Sequence, residues 1–231
     1  MQHIGIVACS AEGAALCYRT ICAEASERLG AHRHPEVSMH TPSLHRYVEC
    51  LDAGDLDGVA ALMLASAHKL ACCGADFLIC PDNTIHQAFA RVAPRSPLPW
   101  LHIAEVVARE AAARDLRRIG ILGTHWLVAS EVYPEHFAAH GLSWLRPTDE
   151  ERAEIGRIIM DELVVGIQRP EQVEALQRVI RRMQAQGCDA VVLGCTELPL
   201  ILDDANSPLP TLDSTRLLAR AALHRAVGVT P

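Results

Sequence analysis

Five short apolar runs punctuate the chain: IGIVAC (4–9), EVSMH (36–40), DFLIC (76–80), IGIL (119–122) and AVVLG (190–194). Each has the length of a strand, and the runs have the near-continuous hydrophobicity of strands buried on both faces. Longer segments separate them. Residues 57–73, DGVAALMLASAHKLACC, place apolar side chains at helical spacing, and EQVEALQRVIRRMQAQ (171–186) does so with its charges on the opposite face. Strand alternating with helix predicts a parallel α/β sheet. A last helix is expected over roughly 213–227. Pro94, Pro97 and Pro99 form a breaker near the middle, and Ser207, Pro208 and Pro210 form another near the end.

The pattern repeats. GADFLICPDNT (74–84) aligns without a gap on GCDAVVLGCTE (187–197), so that Gly74 matches Gly187, Asp76 matches Asp189 and Asp82 falls on Cys195. HIGIVACS (3–10) aligns in the same way on RIGILGTH (118–125). The two pairs have nearly the same separation, which predicts a duplicated half. The expected fold is therefore α/β with two pseudo-symmetric lobes. Each is a mostly parallel sheet flanked by helices, with an active-site cleft between them. Residues 1–98 plus 211–231 are assigned to the first lobe, to which the last helix returns, and 99–210 to the second.

With 231 residues, half of them hydrophobic, the chain can bury a sizeable core. Its net charge of −7 argues against nucleic acid or an anionic membrane as the main partner. No run is long enough to span a bilayer. The opening MQHIGIVACS lacks the basic and long apolar regions of a leader, so none is expected. Nine cysteines, without a CxxC pair or zinc-type spacing, fit a reducing, cytoplasmic setting with no metal. GIVACSAEG lacks GxGxxG, which disfavours a dinucleotide site.

In open parallel sheets, ligands bind beyond the carboxyl ends of strands. PDNT and GCTE both lie at such ends, and a helix starting there would offer unpaired N–H groups to an anion. Cys195 and Asp82 are the candidate proton carriers. A helix N-terminus would favour a thiolate at Cys195. Asp82 is a natural N-cap as well as a titratable group. As a base, an ordinary aspartate falls about 6 kcal/mol short of a thiolate, at about 1.36 kcal/mol per pKa unit, unless its site is dry.

LHRYVECLDAGDLDGVAALM (44–63), GADFLICPDNTIHQ (74–87), RRIGILGTHWLVASEVYPEHF (117–137) and GCDAVVLGCTELPLIL (187–202) together resemble the cofactor-independent aspartate/glutamate racemases, within the wider group that includes hydantoin racemases. The resemblance covers nearly the whole chain. It implies amino-acid racemisation without a cofactor, on a small carboxylate or amino-acid substrate, in a homodimer. The family pattern has a cysteine directly before Asn-Thr at the first junction. This chain has Asp82 there, while Cys195 matches the second cysteine. The resemblance places Asn83, Thr84, Thr124 and Thr196 around the substrate carboxylate. Cys9, Ser10, Ser130, His86 and Glu197 are further binding candidates, Glu197 as a group that could tune the Cys195 proton. Arg46, in TPSLHRYV, is expected in the loop where family members place an arginine for a distal carboxylate. A lysine that some aspartate racemases carry corresponds to Val164 or Val165 here, which disfavours aspartate itself.

Loss of the first cysteine also fits other chemistries. One is a one-thiol lyase of the arylmalonate decarboxylase type. Another is a cis–trans isomerase of maleate-like acids with Cys195 as nucleophile. The non-enzymatic alternative is a binder of small carboxylates.

Overall fold

The computed structural model describes residues 1–228. The chain divides into two compact units, Met1–Val106 with the segment from Thr215 onward, and Val107–Ser214. Each contains a four-stranded, all-parallel sheet flanked by helices.

In the first unit the strands are β1 (Ile4–Val7), β2 (Val37–His40), β3 (Phe77–Ile79) and β4 (Trp100–Leu101), in the spatial order β2-β1-β3-β4. Its helices are α1 (Ala11–Leu29), α2 (Leu44–Asp52), α3 (Leu56–Cys72), α4 (Phe89–Val92) and the start of α5 (Ile103–Ala113). The period-two alternation of strands sorts the apolar side chains to two faces. Ile4, Ile6, Phe77 and Ile79 pack with Cys17 and Ile21 of α1 and with Leu218 and Ala222 from the last helix. Val7, Cys9, Leu78 and Cys80 pack with Tyr47 of α2 and with Val59, Met63 and Leu70 of α3.

The second unit repeats the plan. Its strands are β5 (Arg118–Leu122), β6 (Ser143–Leu145), β7 (Ala190–Leu193) and β8 (Thr211–Asp213), ordered β6-β5-β7-β8. The helices are α6 (His125–Ala129), α7 (Val132–Ala139), α8 (Asp149–Arg157) and α9 (Pro170–Ala185), after which α10 (Ser214–Val227) belongs again to the first unit. Val191 and Leu193 pack with Ile155 and Ile158 and with Leu176, Val179, Ile180 and Met183 of α9. Burial of each such side chain contributes about 1.5–3 kcal/mol.

The aligned residues build the same device in both units. Gly74 and Gly187 have φ of +87° and +88°. They close α3 and α9 with paired bonds, from Gly74 N–H to Ala71 O and Ala75 N–H to Leu70 O, and from Gly187 N–H to Gln184 O and Cys188 N–H to Met183 O. Only glycine adopts that backbone at little cost. Two residues on, Asp76 accepts the His3 N–H at 2.7 Å. Asp189 accepts the Arg117 and Arg118 N–H groups at 2.7 and 3.1 Å. Each carboxylate pins the start of its strand to the central strand.

The expected lobe boundaries fall differently in the structure. The segment after the first proline cluster rejoins the first sheet, because β4 pairs with β3. Likewise residues 211–213 pair with β7 in the second sheet before the chain crosses back. A breaker therefore precedes the last strand of each sheet rather than ending the unit.

Candidate active site

In the first unit the β1–β3 register ends at Ile6↔Ile79, and Cys9 and Asp82 each follow three residues beyond that pair, past the carboxyl ends of their strands. Ser10 caps the 19-residue α1, accepting the Gly13 N–H at 3.3 Å. Asp82 is half-buried and accepts the Ile85 N–H through Oδ1 at 3.1 Å. Asn83, Thr84 and His86 are buried. His86 donates from Nδ1 to the Asp82 carbonyl at 2.7 Å, and its ring stacks on Phe89 with centroids 5.7 Å apart. Cys80 is fully buried. Burial pushes its thiol well above the usual range, and the neighbouring Asp82 charge adds to that. Cys80 occupies the place that Leu193 holds in the other repeat, and it is a core thiol.

The second unit brings Thr124, Cys195, Thr196 and Glu197 to the corresponding edge. Leu122 and Leu193 are register partners, and the Gly194 N–H donates to Leu122 O at 2.8 Å. A Cβ on Gly194 would lie 2.7 Å from that carbonyl and 2.6 Å from Leu127 Cδ2. Glycine is therefore required for the turn that presents Cys195. The Cys195 thiol, 7% exposed, donates to Glu197 Oε2 at 2.8 Å, and the Thr196 hydroxyl donates to the same oxygen at 2.7 Å. Glu197 is itself buried. Thr124 caps α6, accepting the Leu127 N–H at 3.3 Å. Ser130 ends α6, where its hydroxyl donates to Leu127 O at 2.7 Å.

Two expectations need correction. Neither PDNT nor GCTE opens a long helix. Asp82 and Asn83 lead into a five-residue 3₁₀ turn, Thr84–Ala88, and then α4. Cys195 leads into a three-residue turn, Leu198–Leu200, that includes Pro199. Turns this short carry little macrodipole; the Cys195 thiol hydrogen is directed at the Glu197 carboxylate. Arg46 is not in a loop; it is exposed in the first turn of α2.

The structure also adds residues to these edges. His102 follows β4 and meets His86 edge to face, with centroids 4.6 Å apart. Asp213 ends β8 in register with Leu193. Both strands are two or three residues long beside prolines, so no apolar run announces them.

Comparison with known proteins sets these edges in context. The family model described as Asp/Glu/Hydantoin racemase matches residues 4–222. The broad specificity amino-acid racemase RacX of Bacillus subtilis (strain 168) is 25% identical over 172 residues, covering 73% of each chain. The glutamate racemase of Mycobacterium leprae (strain TN) is 33% identical over 144 residues, 58% of this chain and 51% of that one. This alignment spans about half the length of that relative. The crystal structure of PH1733, an aspartate racemase homologue from Pyrococcus horikoshii OT3, matches with a TM-score of 0.85 at 26% identity, covering 98% of this chain and 100% of that one. Among the described residues, no helix is long and apolar enough to cross a membrane.

Proposed function

Since the chain belongs to the Asp/Glu/hydantoin racemase family, whose named relatives are isomerases, we propose that it racemises an amino acid without a cofactor, exchanging the α-proton between Cys195 on one face and Asp82 on the other. The observation that carries this reading is the buried Cys195–Glu197 pair at the end of β7. A thiol takes a proton only after giving up its own, and Glu197 is positioned to receive it. The resulting thiolate removes the α-hydrogen while the Asp82 carboxylic acid delivers one to the opposite face. The reverse direction uses the same groups with their protons exchanged.

The α-carbon of an unactivated amino acid is a very weak acid. Without a cofactor to spread the charge, stabilisation of the carbanion-like state falls to preorganised donors. Asn83, Thr84, Thr124 and Thr196 are buried and polar at the strand ends, as that task requires. A homodimer and a cytoplasmic setting belong to the same proposal, and sedimentation tests the first.

A second reading has one observation in its favour. The Asp82 carboxylate already accepts the Ile85 N–H, which is sufficient employment for a cap. The protein would then work with one thiol, as a lyase or as an enzyme that exchanges with retention. Incubation in D₂O with a panel of L- and D-amino acids separates the readings. Racemisation puts deuterium into both enantiomers. In Asp82→Asn, which keeps the cap, inversion should be lost; in Asp82→Cys it should persist or rise. Normal inversion by Asp82→Asn, or none by Asp82→Cys, would refute Asp82 as a carrier.

A further inference from the structure

Aromatic rings are scarce in this chain, with three each of Phe, Trp and Tyr, yet two of them join a pair of imidazoles in the turn after Asp82. His86 stacks on Phe89 and meets the edge of His102. Phe89 meets Trp100 and His102 edge to face, with centroids 5.9 and 4.6 Å apart. Trp100 lies on β4 and His102 just after it. Both are tied down: the Trp100 indole donates to Ser96 Oγ at 2.7 Å, and His102 Nδ1 accepts the Ala104 N–H at 3.2 Å. The His86 ring, 3% exposed, therefore has little freedom to turn. Its Nδ1 lies 2.7 Å from the Asp82 carbonyl oxygen. A carbonyl only accepts, so Nδ1 carries the hydrogen.

The aligned repeat shows what that bond replaces. In the second junction the Cys195 carbonyl accepts the Leu198 N–H, three residues on, at 3.3 Å. This is the ordinary bond of a 3₁₀ turn. Ile85 corresponds to Leu198, but its N–H goes to the Asp82 carboxylate, 3.1 Å from Oδ1. The next N–H, of His86, turns to Asn83 O at 3.2 Å. Side chains meet the Asp82 carbonyl: the His86 ring and, at 3.7 Å, the Cys80 thiol. In the second repeat Pro199 falls on His86, and it has no donor to offer. The imidazole thus stands at the carbonyl in place of the Ile85 N–H, which is left to the carboxylate.

We infer that His86 is a positioning residue: by holding the Asp82 carbonyl it leaves the Ile85 N–H to the carboxylate, and so fixes the direction in which Asp82 presents its proton. The inference rests on the reading of Asp82 as a carrier. It assigns the ring to the backbone of the turn and not to the substrate. Without a donor at Nδ1, the Ile85 N–H would return to the carbonyl, as Leu198 does in the second repeat, and the carboxylate would lose its anchor. A reacting group displaced by about 1 Å costs about 10²-fold in rate.

The test uses the full chain and the amino acid inverted fastest in the D₂O panel. His86→Gln keeps a buried amide of similar bulk but carries its nitrogen out to the Nε2 place. Inversion should fall by about 10- to 100-fold. His86→Asn sets its amide nitrogen at the Nδ1 place and should keep inversion within about threefold of the parent. The Asn variant leaves the larger void, so it should melt at or below the temperature of the Gln variant. Activity would then follow the hydrogen bond and not the packing. Inversion equal in the two variants, or lost in the order of their Tm values, would overturn the inference. A second readout needs no turnover. Long-range ¹H–¹⁵N spectra of the parent should place the hydrogen of the neutral His86 ring on Nδ1, and a hydrogen on Nε2 would overturn the inference as well. If the parent inverts no amino acid, the racemase reading fails. If Asp82→Asn inverts as well as the parent, the carrier reading fails. If Asp82→Asn is impaired while His86→Gln inverts normally, only the role of His86 does.

Discussion

The two strand-end junctions share one backbone plan and divide its chemistry differently. In the first, the carboxylate stands directly at the strand end, where Asp82 holds the Ile85 N–H. In the second, a thiol stands there, and the carboxylate lies two residues further on, as Glu197, accepting from both Cys195 and Thr196. In the aligned repeat Glu197 falls on Thr84 and Cys195 on Asp82. Each junction thus has one acid, but only in the second is a thiol hydrogen-bonded to it. A duplicated frame fixes where a side chain stands. It leaves open whether that group meets the substrate itself or holds the proton of the one that does.

Cys195→Ser is the harshest test of this asymmetry. A serine hydroxyl keeps the bond to Glu197 but is a far weaker acid than the thiol. Turnover should fall by at least about 10³-fold, with the folding transition nearly unchanged. Enantiomer ratios followed by circular dichroism read the first outcome, and urea unfolding the second. Retained turnover would mean that the sulfur is not the carrier. Gly194→Ala comes next. Its Cβ would press on the Leu122 carbonyl and on Leu127, and overpacking of this kind costs about 1–3 kcal/mol. The corresponding residue of the first junction is Pro81. The close strand approach that demands glycine therefore belongs to the thiol side, and an unchanged urea midpoint in Gly194→Ala would remove that distinction.

Much of this frame was legible before any coordinates. The five apolar runs correspond to β1, β2, β3, β5 and β7, and the helices at 57–73 and 171–186 to α3 and α9. The gap-free repeat became two sheets with the same strand order. What stayed hidden has local causes. β4, β6 and β8 are two or three residues long, too short for an alternating pattern to register, so the first sheet seemed one strand smaller and the second sheet two, all at their outer edges. The turns after Asp82 and Cys195 look like helix starts because Asp, Asn and Thr are good caps, yet Pro199 and the short 3₁₀ segments end them at once. Glu197 was legible as a candidate, but its partners were not, since a favourable charge in a first turn and a buried acceptor for a thiol have the same sequence.

The smallest predicted effect separates frame from chemistry. Asp76 and Asp189 are the aligned carboxylates that pin each strand start, at the opposite end of the strands from the junctions. Asp189 holds two N–H groups, from Arg117 and Arg118; Asp76 holds one, from His3. Charge-assisted bonds to backbone N–H groups are stronger than neutral ones, yet these are partly open to water, and Asp76 is exposed. Asp189→Ala should therefore cost about 1–2 kcal/mol, and Asp76→Ala about half of that. Both should leave kcat/KM within about twofold of the parent. Urea midpoints give the ratio. If the two costs prove equal, the second N–H bond of Asp189 is worth nothing. If either variant loses activity beyond its loss of stability, the strand start is coupled to the strand end, and the repeat is part of the mechanism and not only its scaffold.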